Sequence, residues 1–183
     1  MKSIFFLLIF SFSLFAVDVS NFDIKGIKLG MSKKEVLNKM PCKKPIMKNP
    51  WSSVPAEWLG DGFDFICKYT EKNNEEIFTI SLDYDGIVIS INRVINFSYK
   101  TNEKNLKTKL ILRYGKADKS YENFIGWGKI DKQYFNAYFH NRGKKLILSL
   151  HDEKQTRIYN QLIYKKTDEY ELKKSKEASS IDF

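Results

Sequence analysis

Hydrophobic residues are spaced in three different ways along this chain, and each change of spacing marks a new element. Ile4 to Phe15 is an almost unbroken apolar run, interrupted at Ser11 and Ser13, with Lys2 before it and the small Ala16 after it. At about 12 residues it is too short for the ~20 that cross a bilayer. It therefore predicts a cleaved export signal over residues 1–16, with an uncleaved N-terminal anchor as the alternative. No cysteine directly follows the run, so lipidation of the bacterial lipoprotein kind is not expected.

A helical period comes next. Ser32 with Glu35 three residues on is a capping box, in which each side chain accepts from the other residue's backbone amide. Val36, Leu37 and Met40 supply an apolar stripe, and Pro41 stops the helix. From Phe63 the period shortens to two. Phe63 to Tyr69 alternates, Glu71 to Asn74 is a polar turn, and Phe78, Ile80, Leu82 and Tyr84 share one face of the following strand. Asp85-Gly86 predicts a tight hairpin with both turn residues at positive φ, before Ile87, Ile89 and Ile91 alternate again.

The sequence then repeats this order. Thr101 or Asn102 caps a helix carrying Leu106, Leu110 and Arg113 or Tyr114, and Gly115 ends it. Strands are expected over Phe124 to Ile130, Tyr134 to His140, Lys145 to His151 and Arg157 to Tyr164. The fold class is thus α+β, an antiparallel sheet with helices packed on one face, built as two helix-plus-sheet units. The expected divisions are a unit over 17–100, a second over 101–164 that shares its core, and a charged flexible tail over 165–183.

The phrase Ile27-Lys28-Leu29-Gly30-Met31-Ser32-Lys33-Lys34-Glu35-Val36, with a proline after the helix, resembles the start of the SmpA/OmlA (BamE-like) domains of bacterial envelope proteins. Leu82 to Val88 is similar to their hairpin. That resemblance implies a periplasmic protein that supports outer-membrane assembly. The chain departs from it in lacking the lipidated cysteine and in a long insertion between helix and strands. Tandem helix-plus-sheet units are also similar to β-lactamase-inhibitor proteins, which plug an enzyme with a sheet face.

Composition narrows the partners. The net charge is +9, and 27 of the 31 basic residues are Lys, the four arginines being Arg93, Arg113, Arg142 and Arg157. Lysine-heavy charge points to a solvated surface and an anionic lipid, peptidoglycan or protein partner. Nucleic-acid reading leans on arginine, so no nucleic-acid partner is expected. Cys42 and Cys67, the two cysteines, read as one disulfide in an oxidising periplasm or secreted medium, against two buried thiols or a reactive pair.

All four prolines lie in the segment from Pro41 to Gly62, together with Trp51, Trp58, Lys43, Lys44 and Lys48. Basic residues interleaved with tryptophans suit an anionic or protein partner, and Trp127 and Tyr121 are further candidates for exposed recognition aromatics. The alternative is that the two loop tryptophans fold back as a lid on the core. No catalytic, cofactor or metal motif is present: His140 and His151 are the two histidines, both at strand ends, where a hairpin would have to bring them together to bind a metal or move a proton. The function expected is an exported, non-enzymatic binding or envelope-assembly accessory, with an enzyme inhibitor and a small hydrolase using His140 and His151 as alternatives.

Overall fold

The computed structural model describes residues 17–50, 55, 59–129 and 131–179. Among them, one eight-stranded antiparallel sheet carries three α-helices. Helix α1 (Lys33–Lys39) precedes β1 (Ile46–Lys48), β2 (Asp64–Glu71), β3 (Asn74–Leu82) and β4 (Val88–Asn96). Helix α2 (Glu103–Tyr114) precedes β5 (Lys119–Tyr121), β6 (Phe124–Gly128), β7 (Gln133–His140) and β8 (Lys145–Asp152), and α3 (Glu153–Ser179) follows. The strand order, β1-β2-β3-β4-β8-β7-β6-β5, reads alike from either edge. Each half is a helix followed by a four-stranded meander, and the last strands of the two meanders pair along Ser90–Asn96.

Local chemistry explains the helices. Both halves of the Ser32–Glu35 capping box form, the Ser32 amide donating to Glu35 Oε2 at 2.8 Å. Asn102 Oδ1 accepts from the Asn105 amide at 3.1 Å to open α2, and Gly115 closes it at φ +84°. The hairpins divide differently from the sequence reading. Lys72 and Asn73 both take positive φ and make the two-residue turn between β2 and β3. At Asp85-Gly86 only Gly86 does so. Asp83 Oδ1 accepts from the amides of Asp85 and Ile87, making a three-residue loop that ends in a glycine in the left-handed region.

One strand is corrected to helix. Arg157 to Tyr164 lies inside α3, because Asp152 Oδ1 caps the start by accepting from Gln155, and Tyr159 and Ile163, four apart, bury one helical stripe. The same helix runs past residue 165 to Ser179 and is exposed throughout 171–177. β1 and β5, three residues each, carry too few alternations to register as strands in the sequence.

Alternation sends each strand's apolar set to one face. Phe65, Ile80, Ile91, Leu150, Phe135 and Trp127 form one buried row in register across six strands. Helices α1 and α2 and the N-terminal Val19–Asn21 turn cover this face, with Phe22, Tyr114, Trp127 and Phe135 in mutual ring contact at centroid distances of 4.6 to 6.1 Å. The Cys42–Cys67 disulfide anchors the segment after α1 to β2, Cys67 itself being fully buried.

That bond closes a loop with a sequence separation of 25 residues, which on the chain-entropy account contributes ~3.5 kcal/mol. Reduction should therefore lower the urea midpoint of unfolding while leaving far-UV circular dichroism native in the absence of denaturant. An unchanged midpoint would show that the bond constrains nothing in the unfolded chain.

Candidate functional site

The sheet's second face is the site. Its side chains are the other half of each alternation, and among the described residues only α3 packs over it, at one end. There Tyr159 and Ile163 meet Leu59 and Ile89, and the Tyr159 hydroxyl donates to the Gly62 carbonyl at 3.0 Å. Burial, followed by the negative Asp64 and Asp83, pushes the Tyr159 hydroxyl up to about 12, so it stays a donor. Lys166 lies over the Tyr84 ring, 4.7 Å from its centroid.

Away from α3, the in-register pairs Lys68–Ile77, Ile77–Val94, Val94–Ile147, Ile147–Tyr138, Tyr138–Phe124 and Phe124–Tyr121 make a stripe that crosses seven strands. Its Ile, Val, Phe and Tyr members would lie in a core if another layer covered this face. Beside it runs a polar row, Thr79, Asn92, Ser149 and Asn136, in which the Ser149 hydroxyl donates to Asn92 Oδ1 at 2.7 Å. The rings of Tyr121, Phe124, Tyr138 and His140 follow one another at centroid distances of 5.9, 4.8 and 6.3 Å. Tyr121 is 64% and Tyr138 39% exposed.

A groove of about 370 Å³ opens where these rings meet, lined by Lys119, Tyr121, Phe124, Tyr134, Asn136 and Tyr138 over a floor of Gly126 and Gly128. The glycines are required. A Cβ at Gly126 would stand 2.6 Å from Asn136 Oδ1 and 2.8 Å from the Phe124 ring, and Gly128 sits at φ +80°. Gly126-Trp127-Gly128 therefore serves two faces, with the indole pointing into the core and the absent side chains leaving the groove.

This corrects Trp127, which is 1% exposed and donates its indole N–H to the Gly115 carbonyl at 3.0 Å. It closes the end of α2 and offers no recognition surface. Tyr121, on the edge strand β5, is exposed as expected. Trp51 and Trp58 lie outside the described residues. Lys43 and Lys44 are exposed at the bend after α1, and Lys48, on the edge strand β1, stands opposite Asp64 on the open face. Burial raises the Asp64 carboxyl above its ordinary value, against the opposing pull of Ser81 and Lys48.

His140 and His151 do not converge. His140 pairs with Lys145 and His151 with Tyr134, at opposite ends of the β7–β8 ladder, about 20 Å apart at the usual rise per residue. Among the described residues no three His, Cys, Asp or Glu side chains gather as a metal would need, and no helix is long and apolar enough to cross a membrane. The disulfide fits an oxidising compartment.

Sequence reasoning also missed a charge network on the helix-covered face. Arg93 donates to both carboxylate oxygens of Glu76 at 2.8 Å, and the Tyr69 hydroxyl donates to Glu76 Oε2 at 2.6 Å. Glu76 is 2% exposed, and at its margin Glu71 pairs with Lys25. The signal was present as Tyr69, Glu76 and Arg93 at core positions of their alternations. Because every member is engaged within the fold, this network holds the sheet and leaves no group for a substrate.

His151 gives the groove's border a pH dependence. Its ring lies 5.3 Å from that of Tyr134, and its Nε2 is 3.4 Å from Glu153 Oε2. Burial lowers its proton affinity below the usual 6.5, outweighing the raising pull of Glu153 and Asp152. The unfolded chain thus takes up this proton first, so stability should fall as pH drops through 6.5 and level off below the folded-state value. Urea midpoints measured from pH 7.5 to 5 should decline less for His151→Gln than for the native chain. Parallel declines would contradict the burial argument.

Comparison with protein-family models, with curated proteins and with solved structures finds no match to this chain, and the reading of the site therefore rests on its geometry.

Proposed function

We propose that this chain is an exported, non-enzymatic binding protein that holds a polypeptide partner on the open face of its sheet. The observation that carries the reading is the six-strand stripe of Ile, Val, Phe and Tyr, left uncovered beside a row of Asn, Ser and Thr. Apolar and aromatic groups at the centre with hydrogen-bonding groups at the margin is the composition of a protein interface core and its rim. The disulfide and the apolar run at residues 4–15 support export to a periplasm or beyond.

The SmpA/OmlA resemblance of residues 27–36 supports a place in envelope assembly, where such a face would hold another envelope protein. Aromatic rings on the sheet favour a second reading of the same surface, an inhibitor that covers a secreted enzyme, over a flat basic surface for lipid or peptidoglycan. In both readings, affinity comes from desolvating the stripe.

The test is capture from an envelope extract by the full chain made in oxidising conditions. An Ile77→Glu/Ile147→Glu variant should lose the retained partner, with affinity down about thirtyfold or more, as for loss of a central interface contact. Leu112→Glu, on the exposed side of α2, should retain it. Equal retention by both variants, with native circular dichroism, would remove the open face as the binding surface.

A further inference from the structure

The open face also carries a charge pattern that selects what can sit on it. Beyond the end that α3 covers, its rows hold Lys68, Lys119 and Lys145 but a single carboxylate, Glu75. None of the three lysines has an ion-pair partner among the described residues. Some cations of the fold are paired, Lys25 with Glu71, Lys33 with Asp61, Arg93 with Glu76 and Arg113 with Asp23, but the three lysines of this face are not. Lys119 stands on the groove rim, and Lys145, paired with His140, stands two residues along β8 from Ile147 of the stripe.

Resting on the open face as the binding surface, we propose that its partner is an acidic polypeptide segment anchored by one aromatic side chain in the Gly126–Gly128 groove. Flanking carboxylates of the partner meet Lys119 on one side and Lys145 on the other. The groove supplies what an aromatic anchor needs. Its glycine floor lets a ring approach the backbone, Tyr121, Phe124 and Tyr138 offer ring edges and faces at its sides, and Asn136 presents an amide beside it. Unpaired lysines at the rim steer an acidic segment toward the groove and disfavour a basic one, which decides between partners of equal hydrophobicity.

Three dye-labelled Gly/Ser 12-residue peptides with central Glu-Trp-Glu, Glu-Ala-Glu or Lys-Trp-Lys test this by fluorescence anisotropy against the full, disulfide-bonded chain. Glu-Trp-Glu should bind tightest. Removing the ring should weaken binding about thirtyfold, and reversing the two charges about fivefold or more. Lys119→Glu, a change at an exposed edge position, should reverse the order of Glu-Trp-Glu and Lys-Trp-Lys, and Tyr138→Ala should weaken both.

Equal binding of the three peptides, no binding of any, or an order unmoved by Lys119→Glu overturns the proposal. So does displacement of the peptide by chitobiose or by vesicles of anionic phospholipid, which would assign the groove to a glycan or a lipid headgroup. The Ile77→Glu/Ile147→Glu variant separates this outcome from failure of the binding face. If that variant releases the captured partner while the peptides are not discriminated, the face stands and the acidic aromatic segment falls. If it keeps the partner, the face itself is lost.

Discussion

Everything in this molecule depends on β4 pairing with β8. Seven residue pairs from Ser90–His151 to Asn96–Lys145 join two four-stranded meanders edge to edge. The register decides which side chains share a face, since a slip of one residue would move every apolar group of one half to the wrong side. With this register, Ile91 meets Leu150 and Ile95 meets Leu146 under the helices, while Val94 meets Ile147 on the open side. Two separate meanders would each own half a core. Joined, they give one continuous row of buried side chains and, behind it, one continuous stripe. The pairing spans about 50 to 60 residues of intervening chain, which makes it the longest-range of the sheet's strand pairings.

What the sequence revealed follows from where information is local. The Ser32–Glu35 box, the Asn102 cap, the alternations of β3 and β8, and an α+β architecture with a Cys42–Cys67 bond all rest on residues within a few positions of one another or on the two cysteines of the chain. The errors share a cause too. Arg157 to Tyr164 has apolar residues that fit either period, and only the docking of Tyr159 and Ile163 on Leu59 and Ile89 selects the helix. Trp127 is a candidate exposed aromatic in the sequence, where nothing local reveals its burial. Its burial depends on Phe22, Tyr114 and Phe135, which come from three other segments. The site itself was hidden for the same reason. Ile77, Val94, Ile147, Tyr138 and Phe124 are the minor half of five alternations, and they become a stripe only once register is known.

The buried charges show how differently the two faces are treated. On the helix-covered side Glu76 is removed from water beside Arg93 and Tyr69, and both carboxylate oxygens are engaged. Such an arrangement is seldom a source of stability relative to a well-packed apolar core, but once present it penalises any packing that breaks it. It lies in the third row of the sheet, where Glu76 stands opposite Ile95. A group that tolerates one arrangement only adds its own constraint to the register that the apolar rows define. Burial raises the Tyr69 hydroxyl, and its bond to Glu76 adds to that shift, so the network keeps its donors across the ordinary pH range.

On the open side the chain leaves Lys68, Lys119 and Lys145 without ion-pair partners among the described residues, while the buried Arg93 is paired with Glu76. An uncovered apolar stripe has a cost of its own, because it invites self-association. Lysines at its ends limit that cost, since two copies meeting through this face would bring like charges together. The two features belong together on the proposed reading: the stripe would supply affinity, and the lysines would disfavour a second copy of the chain while admitting a surface of opposite charge. α3 covers the end of the sheet where Tyr159 and Ile163 meet Leu59 and Ile89, and the groove remains open over Tyr121 and Tyr138.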